Sequence, residues 1–335
     1  MRSALALPGP VLRRLAGPPI ERDGRRLDPA VQLLVTMAQR CMPLAGDRTD
    51  PRHRRTVTRR LSGTVMPRAR GVDAVDRIIP GPAGRLRVRV YRSVLAVAEP
   101  PAIVYFHGGG WVVGDLDTHD GSARMLARVT GAVVVSVDYR RAPEDPFPAA
   151  VQDAVAAFRW AQANPRELAA RPGAVAVMGD SAGGNLAAVV SQRTRDLGGP
   201  SPIAQGLVYP ATDLAAASRS VELFADGFLL TRADLDWFAR QYVPDPAARS
   251  QPAVSPLRAA DVSGLPPTHV WTAGFDPLRD EGRAYADRLA DAGVPTRYRC
   301  LDDQVHGFFG MGALPGGLAR IAAVCREMGE LIDAA

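Results

Sequence analysis

From about residue 72 onward the chain alternates short β-rich apolar runs with longer stretches of helical periodicity, and few architectures absorb that alternation. The runs fall at 85–91, 102–106, 132–137, 175–178, 206–209 and 270–273, with a further β-like run at 297–301. Those at 102–106 and 132–137 are almost continuously apolar, as expected of strands covered on both faces. Between them, 149–163 places Val151, Val155, Phe158 and Ala161 on one side of a helix. The pattern predicts an α/β fold, a mainly parallel central sheet flanked by helices, in which function gathers at the carboxyl ends of strands.

The alternation breaks twice. Residues 213–258 carry a helical piece at 232–242 and a proline-rich stretch, and they read as an insertion over the functional edge of the sheet. Residues 1–70 form a separate, arginine-rich region. There, Asp28-Pro29 is an N-cap followed by a first-turn proline, and Val31, Leu34, Val35 and Ala38 repeat at helical spacing, so this helix requires an apolar surface to cover. The segment 48–70 has eight arginines against one acid and no apolar periodicity, and it reads as a solvated or mobile linker. The expected division is therefore 1–70 as helical cap and linker and 71–335 as the catalytic unit, with a cap insertion at about 213–258.

Composition removes whole classes of chemistry. All 41 basic residues are arginine, so mechanisms that need a lysine amine are excluded. Three scattered cysteines and five histidines without an H-E-x-x-H encode neither a disulfide framework nor a structural zinc cluster. The net charge of +6 divides into +10 over residues 1–70 (15 Arg, 5 acids) and −4 over 71–335 (26 Arg, 30 acids). No zinc-finger or aromatic RNA-binding signature accompanies that charge, so a nucleic-acid partner is not expected. Nor does 48–70 show the sustained amphipathic basic helix that a lipid surface would bind. Pro8-Gly9-Pro10 interrupts the first apolar stretch, and no run approaches the roughly 20 apolar residues of a membrane span, which predicts a soluble cytoplasmic protein.

Two motifs carry the chemistry. Gly179-Asp180-Ser181-Ala182-Gly183 lies between a strand and a helix, where glycines two residues either side of a serine leave room for a tight, strained turn. Ser181 is the candidate nucleophile. His107-Gly108-Gly109-Gly110-Trp111 follows the run 102–106, and its glycines let backbone N–H groups approach a developing oxyanion. The amides of Gly109, Gly110 and Ala182 are the candidate oxyanion hole. A serine requires a base and an orienting acid, which in such chains follow it in the order Ser, acid, His. Only His269 and His306 come after Ser181; His269 lies inside an apolar strand run, so His306 is the candidate base. Asp276, directly after the run 270–273, is the candidate acid, with Asp280 and Asp213 as rivals.

With His107-Gly108-Gly109-Gly110-Trp111, Asp138-Tyr139-Arg140-Arg141-Ala142-Pro143-Glu144, the Ser181 elbow, Asp276-Pro277-Leu278-Arg279-Asp280-Glu281 and His306-Gly307-Phe308-Phe309 in one order, the chain resembles the hormone-sensitive-lipase-like esterases of the α/β-hydrolase fold. The resemblance implies that the N-terminal helices and the insertion form a cap, and that short- to medium-chain acyl esters are hydrolysed with no metal or cofactor. It makes His107, Gly108, Glu144 and Asp180 supporting residues, His107 and Glu144 bracing the oxyanion loop. Arg141 departs from the family's usual apolar residue and is expected to face solvent. Amide or N-acetyl hydrolysis by the same residues, or a non-catalytic ligand-binding member of the fold, are the competing readings.

Overall fold

The computed structural model describes residues 9–41 and 50–335 of the chain. The start of the interrupted apolar stretch, residues 1–8, and Arg48 of the proposed linker lie outside the described residues. Helix α1 (Gly9–Ala16), a small hairpin β1 (Glu21–Arg22) and β2 (Arg25–Arg26), and helices α2 (Pro29–Cys41) and α3 (Pro51–Val65) precede the sheet. Then follow β3 (Val72–Gly81), β4 (Gly84–Ser93), β5 (Ala102–Phe106), α4 (Asp120–Thr130), β6 (Val133–Val137), α5 (Ala149–Ala163), β7 (Val175–Asp180), α6 (Ala182–Asp196) and β8 (Gln205–Val208). Helices α7 (Arg219–Leu223) and α8 (Arg232–Tyr242) come next, and β9 (Thr268–Phe275), α9 (Arg279–Asp291), β10 (Thr296–Val305) and α10 (Gly317–Asp333) complete the chain.

The eight long strands form one sheet in the order β10-β9-β8-β7-β5-β6-β4-β3, parallel from β10 to β6, with β4 antiparallel to β6 and β3 antiparallel to β4. The period of two along a strand divides its side chains between two cores. Val104 and Phe106 of β5 face the core built with Phe158 of α5, Leu186 of α6 and Tyr285 of α9, whereas Ile103 and Tyr105 face Leu126 of α4 and Met328 of α10. All five residues of β5 are buried, which is why that run reads as continuously apolar.

Helix α2 finds the apolar surface its periodicity demands: Val31 and Val35 pack with Phe224 and Phe228 of the insertion and Phe275 at the end of β9. Asp28 caps it, its Oδ1 accepting the Ala30 and Val31 N–H groups at 2.8 and 3.1 Å.

The linker expected within 48–70 is instead largely helix. Asp50 accepts the N–H groups of Arg52 and His53, and Pro51 occupies the first turn, so α3 has a complete start signal. No residue of α3 is buried. Its attachment is ionic rather than apolar, through Arg54 to Asp234 at 3.0 Å, Arg55 to Glu144 at 2.6 Å and Arg59 to Asp115 at 2.6 Å, and apolar periodicity is blind to such a helix. The region does therefore hold a basic helix, but three of its arginines are spent on the protein itself. Among the described residues no helix is long and apolar enough to cross a membrane.

Candidate active site

At the carboxyl end of β7 the chain turns into α6 through Ser181, whose φ of 57° and ψ of −120° are unusual for a residue with a side chain. The turn is held by the Ser181 N–H donating to Val208 O at 2.8 Å. Its flanking glycines are obligatory for space: a Cβ on Gly179 would lie 2.2 Å from Gly183 O, and one on Gly183 would lie 1.9 Å from Phe106 O.

His306 follows β10 and Asp276 follows β9, on strands that are neighbours in the sheet. His306 Nε2 lies 2.9 Å from Ser181 Oγ, and His306 Nδ1 lies 2.8 Å from Asp276 Oδ2. Asp276 is fully buried, and its other oxygen accepts the Leu278 N–H at 2.9 Å. The rival acids are engaged elsewhere, Asp280 with Arg279 and the Ser220 N–H, Asp213 with Arg258. His269 stacks on Trp271 within its strand, 3.9 Å between ring centroids, 3.7 Å from Glu327.

The loop after β5 is fixed residue by residue in a way that spares its central amides. The Gly108 N–H donates to Asp180 Oδ1 at 3.1 Å, and Gly109 O accepts from Val112 and Val113. His107 Nδ1 lies 2.8 Å from Gly108 O, and the Tyr139 hydroxyl donates to His107 O at 2.6 Å. Burial lowers the His107 pKa to about 4, so this ring is neutral and acts as a spacer. Among the described residues the N–H groups of Gly109, Gly110 and Ala182 meet no protein acceptor.

Two further residues act on the segment behind the loop, one of them against expectation. Glu144 grips Arg55, which also donates to Val112 O and Ala142 O, at 2.7 and 2.8 Å, and so ties α3 to the segment behind the loop. The Arg55 guanidinium holds the Glu144 carboxyl down at about 2. Arg141 is turned inward rather than into solvent, donating to Gly114 O within 4.0 Å of Asp115. Carbonyls left over by the tight loop take up these arginines, a demand that sequence spacing does not display.

Ser181 opens into a cavity of about 680 Å³ walled by Gly109, Gly110, His306, Leu230 and Phe238. Phe238 of α8 packs so closely on the loop that a Cβ on Gly110, whose φ is +58°, would lie 2.2 Å from its ring. Arg54 of α3 lies 3.9 Å over the neighbouring Trp237 ring. Sequence reading missed Arg55, Phe238 and His119, another residue of the cavity wall, because no motif marks them.

The profile of the alpha/beta hydrolase fold family matches residues 103–310. The chain is 46% identical over 326 residues to carboxylic ester hydrolase LipN of Mycobacterium tuberculosis, covering 93% of this chain and 85% of that one. It is 40% identical over 226 residues to an arylesterase of Saccharolobus solfataricus, covering 67% and 73%. Among solved structures, the ester-hydrolase EH1AB1 from the Lake Arreo metagenome superposes with a TM-score of 0.87 at 40% identity, covering 91% of this chain and 98% of the other. On these grounds the chain belongs to the hormone-sensitive-lipase-like family of the α/β-hydrolase fold.

Proposed function

We propose that this protein is a serine carboxylesterase that hydrolyses short- to medium-chain acyl esters through an acyl-enzyme. The observation that carries the reading is the unbroken hydrogen-bond chain from buried Asp276 through His306 to Ser181, ending at a cavity beside three amides without acceptors. The esterase names of the relatives support the same reaction class.

His306 Nε2 takes the hydroxyl proton as Ser181 Oγ attacks the ester carbonyl, and Asp276 stabilises the imidazolium that forms. The N–H groups of Gly109, Gly110 and Ala182 bind the oxyanion. His306 then passes its proton to the departing alcohol, and water attacks the acyl-enzyme by the same route reversed. Residues 1–70 and 213–258 act as the cap, α3 and α8 closing the cavity over Ser181.

Replacing Ser181 by Ala is expected to lower kcat for a p-nitrophenyl acyl ester by at least about a thousandfold. Asp276→Asn should lose most turnover, about 10⁴-fold, and Asp280→Asn should not. A Ser181→Ala enzyme near wild-type rate, or the opposite ranking of the two aspartates, would overturn the assignment. Hydrolysis of an amide faster than its matched ester would move the reading to amidase.

A further inference from the structure

Behind the glycine loop lies a buried polar cluster that takes no part in the bond-making steps of the hydrolysis. Asp180, next to Ser181 in the chain, is 6% exposed. Its Oδ1 accepts two hydrogen bonds, from the Gly108 N–H at 3.1 Å and from the Tyr105 hydroxyl at 2.5 Å. Its Oδ2 lies 3.6 Å from His119 Nε2, and a Cβ on Gly108 would come within 2.4 Å of that oxygen. One carboxylate thus touches the first amide of the glycine loop while its own backbone leads directly into the nucleophile turn.

The charges of the cluster are consistent with a permanent anion. Burial pushes Asp180 up, but His119, Tyr105 and His107 together outweigh it and hold the carboxyl below its ordinary value. Burial drives the Tyr105 phenol far above its usual range, so it remains a donor. His107, lowered to about 4, supplies no full charge, and the His119 ring lies 3.6 Å from the carboxylate on its other side. Its Nδ1 lies 2.9 Å from Thr118 Oγ1, whose hydroxyl donates to Asp115 O at 2.9 Å. The ring must then donate at Nδ1, which turns its Nε2 edge toward Asp180.

We propose that Asp180 is a positioning residue that fixes the glycine loop against the nucleophile turn, with the His119 ring packed against its outer oxygen, so that Ser181 and the Gly109 and Gly110 amides keep one spacing. The inference rests on the esterase reading of Ser181. The spacing matters because oxyanion donors must lie about 2.7–3.1 Å from the oxyanion, and a misplacement of about 1 Å can cost about 100-fold.

The test compares Asp180→Asn, Asp180→Ala and His119→Ala by kcat, KM and inhibition by a trifluoromethyl ketone, which forms an oxyanion on the serine, with thermal melting as a control for folding. Asp180→Asn keeps an acceptor for the Gly108 N–H and is expected to retain kcat within about tenfold, whereas Asp180→Ala loses about 100-fold in kcat with little change in KM. Ketone affinity should weaken in parallel with kcat. If Asp180→Ala does not fold, His119→Ala carries the test with a fall in kcat of about tenfold at unchanged KM. The proposal fails if the folded alanine variants keep wild-type kcat, or if their loss lies in KM with ketone affinity unchanged. A Ser181→Ala control separates the two layers: turnover in that variant overturns the esterase reading, and an inactive Ser181→Ala beside a fully active Asp180→Ala overturns this proposal alone.

Discussion

Gly110 shows how little freedom single positions in this site have. Its φ of +58° disfavours a side chain, and the Phe238 ring occupies the space a methyl group would need. Gly110→Ala is expected to lower kcat by about 100-fold or more, and adding Phe238→Ala should restore part of the loss, since the two positions share one contact. Equal rates for the single and double variants would show that the clash is not the cause. Glu281 gives a pH prediction. Burial raises its carboxyl to about 8 against the Thr212 and Asp213 N–H bonds, which favour the anion. The folded state therefore keeps this proton where the unfolded chain has lost it. The stability it contributes is fully present below about pH 4.5 and is lost as pH rises through about 8. Glu281→Gln has no proton to lose, so its melting temperature should gain on wild type between about pH 5 and about pH 9; parallel curves would refute the buried acid. At this scale Ser181, His306 and Asp276 were legible because glycine spacing and chain order restrict where they can fall. His119 and Arg55 were not, because their partners are 61 and 89 residues away and no pattern links them.

Among the elements, α3 was the least legible. A helix is read from an apolar stripe, and this one has none; what holds it is a row of arginines aimed at carboxylates and carbonyls of three other segments. The start signal Asp50-Pro51 stands in the chain, but a block of like charge without an apolar stripe reads as solvated chain. Arg55→Gln should destabilise the protein by about 1–3 kcal/mol in urea denaturation, mostly through the Val112 and Ala142 carbonyls. The Glu144 side chain is 52% exposed, so its ion pair adds little. A denaturation midpoint unchanged from wild type would show that α3 is not anchored there. Strand β3 was also missed: it is the antiparallel edge of the sheet, its burial irregular, with Val75 and Ile78 exposed. The parallel interior strands were legible because both their faces are covered and their residues are therefore mostly apolar.

Over the whole molecule, the charge division acquires a physical meaning. The basic N-terminal region and the acidic remainder are joined where Arg25 meets Asp302, Arg54 meets Asp234, Arg55 meets Glu144 and Arg59 meets Asp115. The excess of arginine thus serves partly to bind the chain to itself, with the Arg54–Asp234 pair in the wall of the cavity. All of this converges on one serine. The most direct test is to expose the protein to an alkyl fluorophosphonate and map the adduct by mass spectrometry. The account predicts a single stoichiometric modification on the peptide containing Ser181, loss of esterase turnover in step with labelling, and no labelling of Ser181→Ala. Full turnover by a protein unlabelled at Ser181, or an inactivating adduct on another residue, would contradict it.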